Sequence, residues 1–107
     1  MDVHRELGPG FLEAIYQEAM EIEMRDRGIP FISQPQLNVY FKGQKLKKHY
    51  VPDFTCYDKI VVEIKALRHT TEIDESQTFN STRVAKFRLG VLINFGTNSL
   101  EWKRFII

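Results

Sequence analysis

The chain has 107 residues, 43% of them hydrophobic and 27% charged, with a formal net charge of +1. That length fits one domain, residues 1–107, with a thin core that buries roughly 60–70% of the unfolded surface. A near-neutral balance argues against tight unaided binding to a polyanion, no apolar run reaches the ~18 residues of a membrane span, and a single cysteine, Cys56, excludes an internal disulfide.

Residues Met1 to Glu6 carry no apolar signal region, so a reduced, cytoplasmic compartment is the simplest expectation. After the break Gly8-Pro9-Gly10, the residues Phe11, Leu12, Ile15, Ala19 and Ile22 recur at helical spacing and predict a helix to about Arg27. Gly28 and Pro30 end it. Leu37, Val39 and Phe41 alternate as a strand, and Lys42-Gly43-Gln44 reads as a turn. Leu46 to Cys56 reads as a second strand interrupted at Pro52, and Tyr57-Asp58-Lys59 as another turn. Ile60 to Lys65 is a β-branched run typical of a central strand. These three strands are expected to form an antiparallel meander. A second helix is predicted from about Thr71 to Phe87, with Thr71 and Asp74 at capping-box spacing. Val91 to Phe95 reads as a short buried strand, Gly96 to Ser99 as a turn, and Leu100 to Ile107 as an edge strand. The class is α/β: a mixed sheet with helices covering its apolar faces.

The chemistry is concentrated in Pro52-Asp53, nine residues, then Glu63-Ile64-Lys65. Glu63 and Lys65 are two apart on one strand and share a face, while Val62 and Ile64 point to the other. If the hairpin register centres on Asp58, Asp53 falls opposite Glu63. Two facing carboxylates destabilise a strand pair, and a divalent cation between them reverses the sign of that interaction. Magnesium takes oxygen ligands of this kind, and an adjacent lysine suits an attacking water or a charged phosphate. The bland alternative is a Glu63–Lys65 surface ion pair worth ~0–1 kcal/mol.

Asp53, Glu63 and Lys65 in this pattern resemble the PD-(D/E)XK motif, and the element order is similar to that superfamily's restriction-endonuclease-like αβββαβ core. A closer resemblance is to the GxxExxY proteins, on Gly10-Phe11-Leu12-Glu13-Ala14-Ile15-Tyr16, the flank Val3 to Gly10, Gln77 with Asn80, Gly90 to Gly96, and Arg104-Phe105. The resemblance implies a metal-dependent nuclease acting on phosphodiester bonds of DNA or RNA. Asp53 and Glu63 would ligate magnesium, or manganese in its place, with the backbone carbonyl of Ile64 as third contact. Lys65 would be the catalytic lysine, and Glu13 and Gln77 would line the site.

Each role has an ordinary counterpart. Glu13 sits where a helix dipole favours a carboxylate anyway. Tyr16 either orients Glu13 or fills the core. Gln77 and Asn80 share a helix face that is either site-facing or solvated, and His4 either binds phosphate or metal or is idle. Cys56 lies in an apolar strand with no base beside it and reads as core. The chain starts late against the family pattern, so part of the family's N-terminal helix is expected to be missing. Ser81-Thr82 replace an apolar pair and are expected to weaken the second helix's buried face.

Lys45, Lys47 and Lys48, with Lys42, His49 and the aromatics Tyr40, Phe41 and Tyr50, make a basic hairpin that would grip a nucleic-acid backbone. Lysines on an edge strand also discourage aggregation. The alternative to a nuclease is a catalytically inactive module of the same fold that binds nucleic acid or a partner protein. The terminal strand, ending Phe105-Ile106-Ile107, would suit pairing with a second copy or another protein.

Overall fold

The structure is a computed structural model and describes residues 2–107. In chain order it forms α1 (Asp2–Leu7), α2 (Glu13–Asp26), β1 (Phe31–Ser33), β2 (Leu37–Phe41), β3 (Gln44–Tyr50), β4 (Phe54–Cys56), β5 (Ile60–Lys65), α3 (Glu72–Ala85), β6 (Leu89–Asn94) and β7 (Glu101–Ile106). Five strands form one sheet in the order β1-β4-β5-β6-β7, and β2-β3 stand apart as a hairpin. Only the β5–β6 pair is parallel in the larger sheet, joined through α3. This mixed sheet with helices is the expected fold class.

The expected meander is corrected in one respect. The stretch 46–56 is not one strand. Pro52 has no N–H to donate to a ladder, and the chain turns there: β3 pairs only with β2, while β4 pairs with β5. The other side of β4 is taken by β1, which the sequence reading missed because three residues carry no measurable periodicity. Both hairpin turns are legible in their backbones. Lys42 and Gly43 between β2 and β3, and Tyr57 and Asp58 between β4 and β5, all have positive φ, as the primed hairpin turns require.

One side of the sheet is covered by α2. Its buried residues are Tyr16, Met20 and Met24, spaced by one helical turn, and they join Val3, Phe54, Cys56, Val62, Ile64, Ile93 and Phe95 in the core. Most of the predicted apolar stripe was the wrong one: Phe11, Leu12, Ile15 and Ile22 are exposed, and of its members Ala19 packs against the core. Two overlapping stripes exist on this helix, and only tertiary packing selects the one carrying the bulky aromatic and the methionines. Tyr16 stacks on Phe95 with ring centroids 4.7 Å apart.

The other side carries α3. Ser81 and Thr82 do not leave it loosely held. With Thr78 they are fully buried, and their hydroxyls are satisfied within the helix: Thr78 donates to the Asp74 carbonyl, and Ser81 and Thr82 to the Thr78 carbonyl. These short side chains let the helix lie against β6 at Gly90, where an added Cβ would come within 2.1 Å of Thr82 Oγ1. Close backbone approach replaces the apolar volume that the sequence reading looked for. β7 forms one edge of the sheet, with Trp102 and Ile106 exposed.

Candidate metal centre and active site

The β4–β5 register pairs Phe54 with Val62, Thr55 with Val61 and Cys56 with Ile60. It therefore centres on Asp58, and one step further it sets Asp53 against Glu63. Two hydrogen bonds lock this end. The Asp53 N–H donates to Glu63 Oε1 at 2.9 Å, and the Ile64 N–H donates to Asp53 Oδ2 at 2.6 Å. Each carboxylate thus spends one oxygen on a backbone N–H. Burial on β5 is continuous through Ile64, and Glu63 is only 9% exposed.

Lys65 ends β5 on the Glu63 face. Its Nζ lies 3.9 Å from Asp74 Oδ1 in the first turn of α3. Glu13 opens α2 close enough to feel the charges of Lys65, Asp53 and Asp74. Asp53, Glu63, Lys65 and Glu13 are therefore brought together. Ile64 follows Glu63 on β5 and supplies the N–H that Asp53 holds. Gln77 is placed differently. It lies on α3 and its backbone carbonyl accepts the Tyr50 phenol at 3.2 Å, but no side-chain hydrogen bond among the described residues joins it to the carboxylates. Lys45, Lys47 and Lys48 are exposed on β3 and take no carboxylate partner among the described residues. The register sets Lys45 against Tyr40 and Tyr50 against Leu37, on opposite faces of the hairpin, and a bulge across Leu46 to Lys48 interrupts the alternation between them.

The electrostatics follow from crowding. Glu63 is pushed up to about 7, first by burial and then by the negative charges of Asp53 and Glu13, against the pull of the Asp53 N–H and Lys65. Burial also raises Asp53, opposed by its Ile64 hydrogen bond and by Lys65. Glu13 is raised by burial first, then by Asp53 and Asp74, with Lys65 opposing. Three carboxyls are thus held above their ordinary range around one ammonium group, and the charged forms are under strain that a cation relieves.

The donor set fits a hard divalent ion. No group of three or more His, Cys, Asp or Glu side chains among the described residues is arranged to hold a metal; the centre offers the paired carboxylates of Asp53 and Glu63. Two carboxylates with water completing the shell is the way magnesium is commonly bound.

The surroundings hold this centre in place. Asn94, at the end of β6, accepts the Leu67 N–H and the Gly96 N–H and donates to the Leu67 carbonyl. It clamps the chain that leaves Lys65. Gly96 is required beside it, since a Cβ there would come within 2.3 Å of the Leu67 carbonyl oxygen. Asp74, Tyr50 and Asn94 were missed as site residues. Asp74 had a sufficient local role as a cap, Tyr50 was read as part of the hairpin's aromatic face, and Asn94 sits in a strand whose neighbours are all core.

Three other expectations resolve as structural. The Tyr16 phenol donates to the Gly8 carbonyl at 2.5 Å and accepts the Phe11 N–H at 3.3 Å, so it shapes the entry to α2 and makes no hydrogen bond to Glu13. A His4 ring nitrogen donates to the Thr97 carbonyl at 2.7 Å. Cys56 is buried, and burial pushes its thiol up, the opposite of an activated nucleophile. No helix among the described residues is long and apolar enough to cross a membrane.

The family model described as the PD-(D/E)XK nuclease superfamily matches residues 1–105. A solved structure, described as the crystal structure of SSO0001, superposes with a TM-score of 0.72 at 14% identity. It covers 88% of this chain, and the chain spans about half (49%) of that protein's length, so the likeness is one of fold. Curated proteins give no match.

Proposed function

The chain belongs to the PD-(D/E)XK nuclease superfamily, and from that premise we propose that it is a divalent-cation-dependent nuclease that hydrolyses phosphodiester bonds in nucleic acid. The observation that carries this reading is the hairpin register. It sets Asp53 against Glu63, with Lys65 at the end of the same strand.

In this reading Asp53 and Glu63 hold magnesium or manganese, with the Ile64 carbonyl as third contact. When bound, the ion supplies Lewis-acid stabilisation of charge developing on the phosphate. Lys65 orients the attacking water and faces the phosphate oxygens with its ammonium group. The water oxygen bonds to phosphorus as the bond to the leaving oxygen breaks. Glu13, an open carboxylate with raised proton affinity beside the pair, is suited to receive the water's proton. Gln77, whose side chain no hydrogen bond among the described residues ties to the carboxylates, is read as an outer polar residue of the site. The hairpin lysines Lys45, Lys47 and Lys48 hold the backbone of the strand, which supplies the local positive surface that the net charge lacks. The segment Gly10 to Tyr16 is read as the GxxExxY motif: Glu13 opens the helix toward the site, and Tyr16 fixes the helix entry.

The test is cleavage of labelled single-stranded, duplex and branched DNA and RNA with magnesium or manganese, by wild type, Lys65→Ala and Asp53→Ala. Metal-dependent cutting by wild type alone is expected. Equal cutting by all three proteins would overturn the proposal. Binding without turnover, unchanged by Asp53→Ala, would instead establish a non-cutting nucleic-acid module. The open β7 edge, with Trp102 63% and Ile106 71% exposed, favours a further reading in which a second copy or a partner protein adds a strand there. A monomeric mass at high concentration would contradict the homodimer.

A further inference from the structure

Asp74 has two jobs, and only one of them is accounted for by helix capping. Its Oδ2 accepts the Thr71 N–H at 2.8 Å and the Thr71 hydroxyl at 3.1 Å, which satisfies the first turn of α3. Its Oδ1 is turned the other way, toward Lys65 Nζ at 3.9 Å. Asp74 is 9% exposed, so its charge is held largely out of water, where an unpaired carboxylate is costly. Lys65 is the cation it faces.

Lys65 has three other carboxylates to choose from. Asp53, Glu63 and Glu13 all feel its charge. A lysine on a flexible four-carbon stem, placed beside such a group and left unrestrained, would fold onto the metal-holding pair. There it would neutralise the oxygens a cation needs, and its ammonium group would leave the substrate side. Among the described residues, Asp74 is the only carboxylate that Lys65 reaches within the 4.0 Å ion-pair distance. The cap fixes that carboxylate rigidly, because Thr71 holds its other oxygen with two hydrogen bonds.

We infer that Asp74 is a positioning residue for Lys65: anchored by the N-terminal cap of α3, it draws the ammonium group off Asp53 and Glu63 and fixes it at the working position. This rests on the nuclease reading for its catalytic consequence, but not for the contact itself. α3 would thereby have a direct role in the site, although it contributes no metal ligand.

Asp74→Asn is the informative variant, because an amide oxygen still accepts from Thr71 while the charge facing Lys65 is lost. The expected result is a roughly 10- to 100-fold fall in kcat (of the order that ~1 Å of misplacement produces), with KM within about threefold of wild type and the magnesium dissociation constant raised, because the released ammonium group competes for Asp53 and Glu63. Asp74→Glu should recover part of the loss. Glu72→Gln, an equal charge change on the same helical turn, should have no effect. An unchanged kcat in Asp74→Asn, or an equal loss in Glu72→Gln, would overturn the inference.

A readout independent of turnover separates this failure from that of the nuclease reading. In wild type the Lys65 ammonium group should give a resolved nitrogen–proton NMR cross-peak, and in Asp74→Asn that peak should broaden or vanish through faster exchange with water. If the peak is identical in the two proteins, Asp74 does not hold Lys65, whether or not the wild type cuts nucleic acid. If the wild type fails to cut but the peak responds, the contact stands and the nuclease reading falls.

Discussion

Replacing Glu63 by glutamine removes a charge that the fold holds unwillingly. The glutamine carbonyl can still accept the Asp53 N–H, so the perturbation is mainly electrostatic. Folding moves the Glu63 carboxyl from 4.5 to about 7. At about 1.4 kcal/mol per pH unit, that displacement corresponds to roughly 3 kcal/mol. The folded state binds the proton more tightly than the unfolded state does. Glu63 therefore contributes most to stability below about pH 4.5, and that contribution is lost as the pH rises toward about 7. Without divalent ions, Glu63→Gln and wild type should be equally stable near pH 4, and the variant should be more stable at pH 8 by about 2–4 kcal/mol. For a domain of this size the corresponding rise in Tm is on the order of 10 °C. Saturating magnesium at pH 8 should stabilise wild type and close the gap, because the ion binds only the ionised folded site. Urea melts at pH 4, 6 and 8, with and without magnesium, measure all of this. A variant that is less stable than wild type by the same margin at every pH would refute the reasoning. It would mean that neither burial nor the negative charges of Asp53 and Glu13 hold the Glu63 carboxyl above its ordinary range.

Other outcomes follow from separate parts of the structure. Gly90→Ala should cost about 1–3 kcal/mol by overpacking, and Thr82→Ala in the same chain should restore part of it, since the clash is with Thr82 Oγ1; denaturation of the two single variants and the double variant decides this. Asn94→Ala should lower stability by about 2–3 kcal/mol, because the Leu67 and Gly96 N–H groups and the Leu67 carbonyl lose their partners, and should lower cleavage through misplacement of Lys65. Lys45→Gln and Lys48→Gln should each weaken nucleic-acid binding and reduce the salt slope by about 1; binding titrations at several salt concentrations report both.

The parts of this fold that depend on local chemistry were readable from the chain. The β-branched run of β5, the breaks at Gly28 and Pro30, and the turns at Lys42-Gly43 and Tyr57-Asp58 each act within a few residues, and the structure has them where they were expected. The opposition of Asp53 and Glu63 was also legible, because a hairpin turn fixes register and register fixes which side chains share a face. What escaped were features set at long range. On α2, the stripe through Ile15 and Ile22 and the stripe through Tyr16, Met20 and Met24 are both plausible on paper. The choice belongs to the sheet face they meet. The buried hydroxyls of Thr78, Ser81 and Thr82 look like a defect until Gly90 is seen across from them. Asp74 is invisible as a site residue in sequence because its cap explains it fully, and its second oxygen acquires a meaning only when α3 is docked against the end of β5. The lysines of the basic hairpin are plain in the sequence, but the bulge between Lys45 and His49 that sets their faces is not.

The central claim is that one divalent ion binds between Asp53 and Glu63. Crystals grown with manganese, measured for anomalous scattering, test it most directly. The account predicts a single strong peak about 2.0–2.3 Å from a carboxylate oxygen of each residue and from the Ile64 carbonyl, abolished in Asp53→Ala. A manganese ion bound elsewhere on the chain, or none at saturating concentration with both carboxylates still hydrogen-bonded to their backbone partners, would contradict it.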